Sequence, residues 1–123
     1  MTNHKLSYDL EERTTKFGEQ VIVLCQEIKQ NVVTNPIIGQ LVKSATSIGA
    51  NYSEANGASS KKDFRNKIFI CKKESQETKY WLKILLKCTP YKKDEILRLA
   101  TECHELILIF SKICFALNSK LTK

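Results

Sequence analysis

The chain has 123 residues, five cysteines and a formal net charge of +7. Its length fits one domain with a single core. An odd number of cysteines without CxxC spacing argues against a disulfide framework or a metal site and favours reduced thiols in the cytoplasm. The N-terminal stretch lacks the apolar part of a secretion signal, and the longest strongly apolar run, Leu106–Phe110, is too short to cross a bilayer. We therefore expect a cytoplasmic protein without metal, cofactor or membrane association.

Apolar residues recur at spacings of three and four along nearly the whole chain. This period predicts helices at about residues 7–31, 37–56, 60–88 and 92–119. Short connections between long helices favour antiparallel neighbours. The sequence thus predicts a single all-α domain, an antiparallel up-down-up-down four-helix bundle over residues 1–123.

A small number of proline, glycine and serine residues mark the predicted helix ends. Pro36 is suited to open the second helix and Gly57 to close it. Ser59 or Ser60 is placed to cap the third helix. Pro90 ends that helix, because proline disfavours helical geometry in the residue before it.

Basic charge is concentrated in the third predicted helix and the turn after it. Residues 61–93 hold eleven Lys or Arg against three acidic residues, a net charge of +8, while the rest of the chain holds nine against ten. On a helical wheel, most of these cations share one sector of the third helix with Phe69 and Tyr80. The basic members of this sector, which we call the basic stripe, are Lys61, Lys62, Arg65, Lys72, Lys73, Lys79, Lys83 and Lys87.

Basic residues interleaved with aromatic ones suit phosphate contacts and base stacking, so the basic stripe predicts binding of RNA or DNA. A solvated face that only keeps the protein soluble is the alternative. The sequence has no zinc-finger spacing, RRM aromatic signature or GxxG loop, so recognition would depend on backbone or shape. In this hypothesis Arg65 makes a bidentate phosphate contact. The other phosphate contacts come from Lys72, Lys73, Lys79 and Lys83.

The opposite flank of the third helix carries large apolar residues between carboxylates. A monomeric bundle would leave this flank in water, which favours contact with a partner, most simply a second copy of the chain. A merely amphiphilic surface is the alternative. The predicted oligomer interface, called here the apolar seam, consists of Ile70, Glu74, Glu77, Trp81 and Ile84.

Two polar residues stand among small residues in the second helix, in the stretch SIGANYSEA. Asn51 and Glu54 lie beside the core positions, and their small neighbours would let another helix approach closely. A buried amide or carboxylate needs hydrogen-bond partners. We expect these partners in the third helix, from Ser75, Lys79 or Arg65. The pair is predicted to fix helix register and assembly, and a ligand site is the alternative.

The stretch from Ser44 to Leu85 contains S-I-x-x-N, a following Glu and a later E-x-x-E-T-x-Y-W-L segment. In these motifs it resembles the 23S rRNA intervening sequence proteins, a family of four-helix bundles with a related branch of accessory proteins of diversity-generating retroelements. The residues that match the family pattern are Ser47, Ile48, Asn51, Glu54, Asp63, Phe64, Glu74, Glu77, Thr78, Tyr80, Trp81 and Leu82. Tyr52 departs from the isoleucine of many members. The resemblance implies a ring, typically a homopentamer, that associates with RNA or DNA and has no established enzymatic activity.

Catalytic motifs are weak in this sequence. A di-iron bundle needs Glu-x-x-His motifs, whereas the histidines here are only His4 and His104. Arg98 and His104 resemble the Arg and His of HEPN ribonucleases, which cut RNA by acid–base chemistry. Six residues cover about 240° of a straight helix, so these two side chains diverge.

We therefore predict a non-enzymatic homo-oligomer that binds RNA or DNA through the basic stripe. One alternative is a scaffold for an acidic protein partner, such as a reverse transcriptase or a toxin. A HEPN-like ribonuclease is the less favoured alternative.

Overall fold

The computed structural model describes residues 2–122 and the side chains of residues 9–119. Four long helices are present: α1 (Thr2–Gln26), α2 (Thr34–Asn56), α3 (Lys61–Cys88) and α4 (Lys93–Thr122). A short 3-10 helix (Pro90–Lys92) precedes α4, and the described residues contain no strand. The predicted all-α four-helix bundle is confirmed. No helix within residues 2–122 combines the length and apolar character that crossing a membrane requires.

The connection between α1 and α2 differs from the prediction at both ends. α1 ends at Gln26 rather than near residue 31, and α2 begins at Thr34, two residues before Pro36. Asn31 Oδ1 accepts hydrogen bonds from the backbone amides of Val33 and Thr34, both at 2.9 Å. These contacts satisfy backbone amides at the start of α2. α1 has already ended five residues before Asn31, although the apolar period continues as far as Ile28.

The ends of α3 lie within one residue of the predicted positions, whereas α1 begins at Thr2 rather than near residue 7. Ser60 caps α3, because its Oγ accepts a hydrogen bond from the backbone amide of Asp63 at 3.0 Å. Cys88 is the last residue of α3, directly before Thr89 and Pro90. Thr89 Oγ1 donates to the Leu85 carbonyl at 2.8 Å and so satisfies one carbonyl at the helix end.

All four helices contribute large side chains to one core. Phe17 from α1, Ile48 from α2, Leu82 from α3 and Phe110 from α4 are fully buried. Burial of each such side chain is worth about 1.5–3 kcal/mol. Tyr52 also lies in the core, with its ring centroid 6.0 Å from that of Phe110. The aromatic residue at position 52 is therefore accommodated as a core residue.

Small residues allow α1 and α2 to approach each other closely. A Cβ atom at Gly49 would lie 3.4 Å from Thr14, and one at Gly18 would lie 3.6 Å from Ala45 and Thr46. Consecutive helices pack extensively against one another, whereas α1 and α4 make much less contact. At Gly49, the close approach expected at SIGANYSEA is thus made by α1.

Two ion pairs bridge α1 and the part of the chain that includes α4. Arg13 donates to Glu102 through Nε at 2.6 Å and through Nη2 at 2.8 Å. Lys92 Nζ, just before α4, lies 2.9 Å from Glu27 Oε1, just after α1. These bridges span the least extensively packed side of the bundle.

Candidate nucleic-acid interface

The basic stripe lies on the outer surface of α3. Six of its eight cations are exposed, and Arg65 and Lys72 are partly buried. Two aromatic side chains share this surface: Phe69 is 60% exposed and Tyr80 is 54% exposed. The structure thus brings cations and aromatic rings together on one face, as the wheel predicts.

The cations of the basic stripe have no carboxylate partners among the described side chains. The ion pairs there involve Arg13, Lys67 and Lys92, none of which belongs to the stripe. The stripe carries positive charge that the protein itself does not neutralise by direct pairing. Such a surface attracts anions and is available for contact with them.

Arg65 differs from the rest of the stripe. Its Nε atom is shielded from solvent and has no hydrogen-bond partner. The side chain lines a cavity of about 580 Å³ with Phe64 and Leu117, where α3 begins beside α4. Because Nε is shielded, a bidentate phosphate contact in this arrangement would have to use the two Nη atoms.

A groove of about 540 Å³ lies between α3 and α4, and we call it the α3–α4 groove. Pockets that bind small ligands have volumes of roughly 300–1,000 Å³. Its aliphatic lining consists of Leu82, Leu86, Ile96, Leu97, Ala100 and Ile107. Its polar and aromatic lining consists of Gln76, Lys79, Tyr80, Lys83 and His104. Five of the eleven lining residues belong to α4, so a helical wheel of α3 alone cannot reveal this groove.

Contacts at the groove fix the orientation of two rings. Lys79 Nζ lies 3.1 Å from His104 Nδ1. An ammonium group only donates, so Nδ1 is the acceptor in this contact. The Tyr80 ring meets Trp81 edge-on, with centroids 5.0 Å apart and an interplanar angle of 76°. Both groups are thus positioned before any ligand arrives.

The apolar seam is only partly exposed to water in a single protomer. All five of its residues are partly buried, and Trp81 packs against the core. Trp81 Nε1 also donates to Glu77 Oε2 at 3.3 Å, one turn away. Burial, together with the charge of Glu77, raises the pKa of Glu74 above its ordinary value. The exposed large apolar residues of α3 are instead Phe69 and Tyr80.

The predicted partners of Asn51 and Glu54 are wrong. Asn51 Nδ2 donates within α2 to the Ser47 carbonyl at 2.8 Å. Glu54 is exposed and pairs with Lys67 Nζ at 2.6 Å. Lys67 stands outside the basic stripe on the wheel and lies on the flank of α3 that faces α2. The expected partners, which neither side chain contacts, were Ser75, Lys79 and Arg65.

Buried thiols connect α3 to both of its neighbours. Cys71 Sγ donates to the Ile48 carbonyl of α2 at 3.5 Å, and Cys103 Sγ of α4 donates to the Ser75 carbonyl at 3.1 Å. Burial raises the pKa of each of these thiols to about 12. They therefore stay protonated near neutral pH and act as hydrogen-bond donors rather than nucleophiles.

Arg98 and His104 lie on different sides of α4 in one protomer. His104 lines the α3–α4 groove, whereas Arg98 lines a separate groove between α1 and α4. This divergence agrees with their spacing of six residues. Over the described part of the chain, no cluster of three His, Cys, Asp or Glu side chains could hold a metal ion.

Comparison with known proteins identifies a matching family and a similar solved structure. The family described as 23S rRNA-intervening sequence protein matches residues 7–112. A comparison with curated proteins gave no match. The chain is similar to a protein of unknown function from the S23 ribosomal protein family of Bacteroides thetaiotaomicron, whose crystal structure has 1.70 Å resolution. The two share 30% sequence identity with a TM-score of 0.75, over 85% of this chain and 96% of the other.

Proposed function

The chain belongs to the 23S rRNA-intervening sequence protein family, and from this premise we propose that it is a non-enzymatic, homo-oligomeric protein that binds RNA or DNA through the basic stripe. The observation that carries the proposal is the absence of carboxylate partners for the stripe cations among the described side chains. Lysines without carboxylate partners can contact phosphates without first breaking internal ion pairs. The exposed rings of Phe69 and Tyr80 add surfaces on which bases can stack.

The salt dependence of binding is the physical signature of this mechanism. Each phosphate that a lysine neutralises releases condensed counterions, so affinity falls as salt rises. With several contacts, we expect at least a 10-fold loss of affinity between about 50 and 200 mM salt. Fluorescence anisotropy of a labelled RNA hairpin measures this loss.

A charge-reversal variant locates the binding surface. Lys72, Lys73, Lys79 and Lys83 are all replaced by glutamate, and we expect hairpin binding to be lost. The matched control reverses four lysines outside the stripe and so changes the net charge equally: Lys16, Lys29, Lys43 and Lys93. If both variants lose the same affinity, the stripe is not the binding surface. If the wild-type protein does not bind even at 50 mM salt, the proposal is wrong.

The proposed assembly is a ring of identical protomers, typically a pentamer in the family that the chain resembles. Its support is the apolar seam, where Ile70 and Ile84 remain partly exposed beside Trp81. A ring would repeat the basic stripe and strengthen a weak contact by avidity. Ile84→Glu should yield a monomer by native mass spectrometry with unchanged helix content by circular dichroism. An unchanged native mass would exclude the seam as the interface.

The proposed direction of the helices is up-down-up-down. It is supported by contacts between α2 and α3 whose residue numbers run in opposite senses. Ser44 meets Thr78, whereas Glu54 meets Lys67.

The proposed location is the cytoplasm, supported by buried cysteines in the free thiol form.

An acidic protein partner is the second candidate. Exposed apolar side chains on α4 favour it, since Phe115 is 73% exposed and Leu108 is 51% exposed. An apolar patch beside a basic surface suits a partner with an acidic rim. The absence of RNA binding at low salt would direct the search toward this partner.

A further inference from the structure

We propose that the α3–α4 groove receives an unpaired base, so that the preferred ligand is single-stranded or looped nucleic acid rather than a continuous duplex. This inference rests on the proposed function, because two lysines of the basic stripe also line the groove. The inference extends the proposed function by specifying single-stranded or looped nucleic acid as the ligand and the groove as the pocket for one of its bases.

The lining of the groove suits a flat apolar surface. Leu82 and Ile96 are almost completely buried at its base, and Leu86, Ala100 and Ile107 are partly buried around them. In a duplex, the flat faces of the bases are covered by their stacked neighbours. An unpaired base can turn its face outward and bury it against side chains. The aliphatic lining thus favours the unpaired form.

Tyr80 offers a stacking surface at the edge of the groove. More than half of its side chain is exposed, and the edge-on contact with Trp81 holds the ring in place. Trp81 is itself tied to Glu77 by a hydrogen bond of 3.3 Å. A ring that is already oriented loses little conformational freedom when a base stacks on it. Tyr80 is therefore the residue on which we expect single-strand preference to depend.

Polar groups around the same groove are suited to contact the phosphates and the polar edge of the base. Lys79 and Lys83 are one helical turn apart on the same face and have no carboxylate partner among the described side chains. They can contact the phosphates on either side of an inserted base. The groove lining includes no carboxylate. Gln76 supplies both a donor and an acceptor for a base edge.

The test compares two forms of one RNA sequence by fluorescence anisotropy. The single strand has about 12 nucleotides, within the range of roughly 4–16 for single-strand sites. The second probe is the blunt duplex of this strand with its complement. At about 50 mM salt, we expect the single strand to bind at least 10-fold more tightly than the duplex, although charge density alone favours the duplex.

Matched variants assign this preference to the groove. Tyr80→Leu should weaken single-strand binding by roughly 5- to 150-fold, the equivalent of losing one stacked base, and leave duplex binding unchanged. Tyr80→Phe keeps an aromatic ring and should bind as the wild type does. Tyr91→Leu is the control, because Tyr91 is 62% exposed and lies outside the groove. Ala100→Leu narrows the groove from α4 and should act in the same direction as Tyr80→Leu.

The outcomes separate this inference from the proposed function. Equal affinity for both RNA forms, with no effect of Tyr80→Leu, overturns the groove assignment and leaves binding by the basic stripe intact. Loss of both RNA forms in the four-lysine variant, together with loss of only the single strand in Tyr80→Leu, supports both. No binding of either form at 50 mM salt overturns both and leaves an acidic protein as the occupant to test.

Discussion

The two flanks of α3 are built in opposite ways. Toward α2, polar side chains meet directly across a closed interface: Thr78 Oγ1 donates to Ser44 Oγ at 2.9 Å in a buried setting. Toward α4, part of the interface is open and forms a groove of about 540 Å³ bordered by Lys79 and Lys83. The difference indicates that one flank holds the helix in place while the other is available for a ligand. Stability and binding should therefore respond to different substitutions.

The largest expected effect is a difference in the free energy of unfolding between substitutions on the two flanks. Ile48→Ala removes a fully buried side chain of α2 and should lower the free energy of unfolding by about 2–5 kcal/mol. Leu86→Ala enlarges a groove that is already open to water, so we expect a loss of about 1 kcal/mol or less. Urea denaturation followed by circular dichroism measures both. Similar losses would contradict the distinction between a closed and an open flank.

A smaller effect is expected from the buried hydroxyl contact. Thr78→Val keeps the shape of the side chain but leaves Ser44 without this partner, which should cost about 1 kcal/mol. Thr101→Val is the matched control, since Thr101 is an exposed residue of α4 whose hydroxyl donates to the Leu97 carbonyl at 3.0 Å. Its loss should be within about 0.5 kcal/mol, as for other surface substitutions. A larger effect at Thr101 than at Thr78 would refute the closed-flank interpretation.

The smallest effect concerns pH. The pKa of Glu74 is raised above 4.5 by burial first and by Glu77 second. A carboxyl group with a raised pKa in the folded state lowers stability as the pH rises through that pKa. Glu74→Gln should therefore be more stable than the wild type at pH 7, by less than about 1 kcal/mol, and equal to it below pH 4.5. Melting temperatures at the two pH values test this, with Glu19→Gln on the exposed surface of α1 as the control. If Glu74→Gln and Glu19→Gln gain the same stability at pH 7, burial of Glu74 is not the cause.

The sequence was sufficient to predict the number of helices and most of their ends. α3 was placed within one residue, because Ser60 and Pro90 act locally on the backbone. The end of α1 was misplaced because the run stays apolar as far as Ile28, whereas the amides of Glu27 and Ile28 already form turn hydrogen bonds to carbonyls three residues earlier. Local hydrogen bonding determines where α1 ends, and the spacing of apolar residues alone does not predict that position.

The candidate site was only partly predictable for a different reason. A wheel shows which residues of one helix share a face, and it correctly grouped Lys79 with Tyr80. It does not show which helix lies beside that face or at what register. For this reason the contribution of His104 to the groove was missed, and Lys67 was not identified as the partner of Glu54.

The limited contact between α1 and α4 has a consequence for how the chain folds. The extensive helix pairings join neighbours in sequence, and only the pairing bridged by Arg13–Glu102 and Glu27–Lys92 closes a long loop. Chains dominated by such local contacts have low contact order and fold within microseconds to milliseconds. The long-range closure between α1 and α4 would come late, and these two helices would detach from the native bundle before α3. Amide hydrogens in α1 should accordingly exchange with solvent before those of α3.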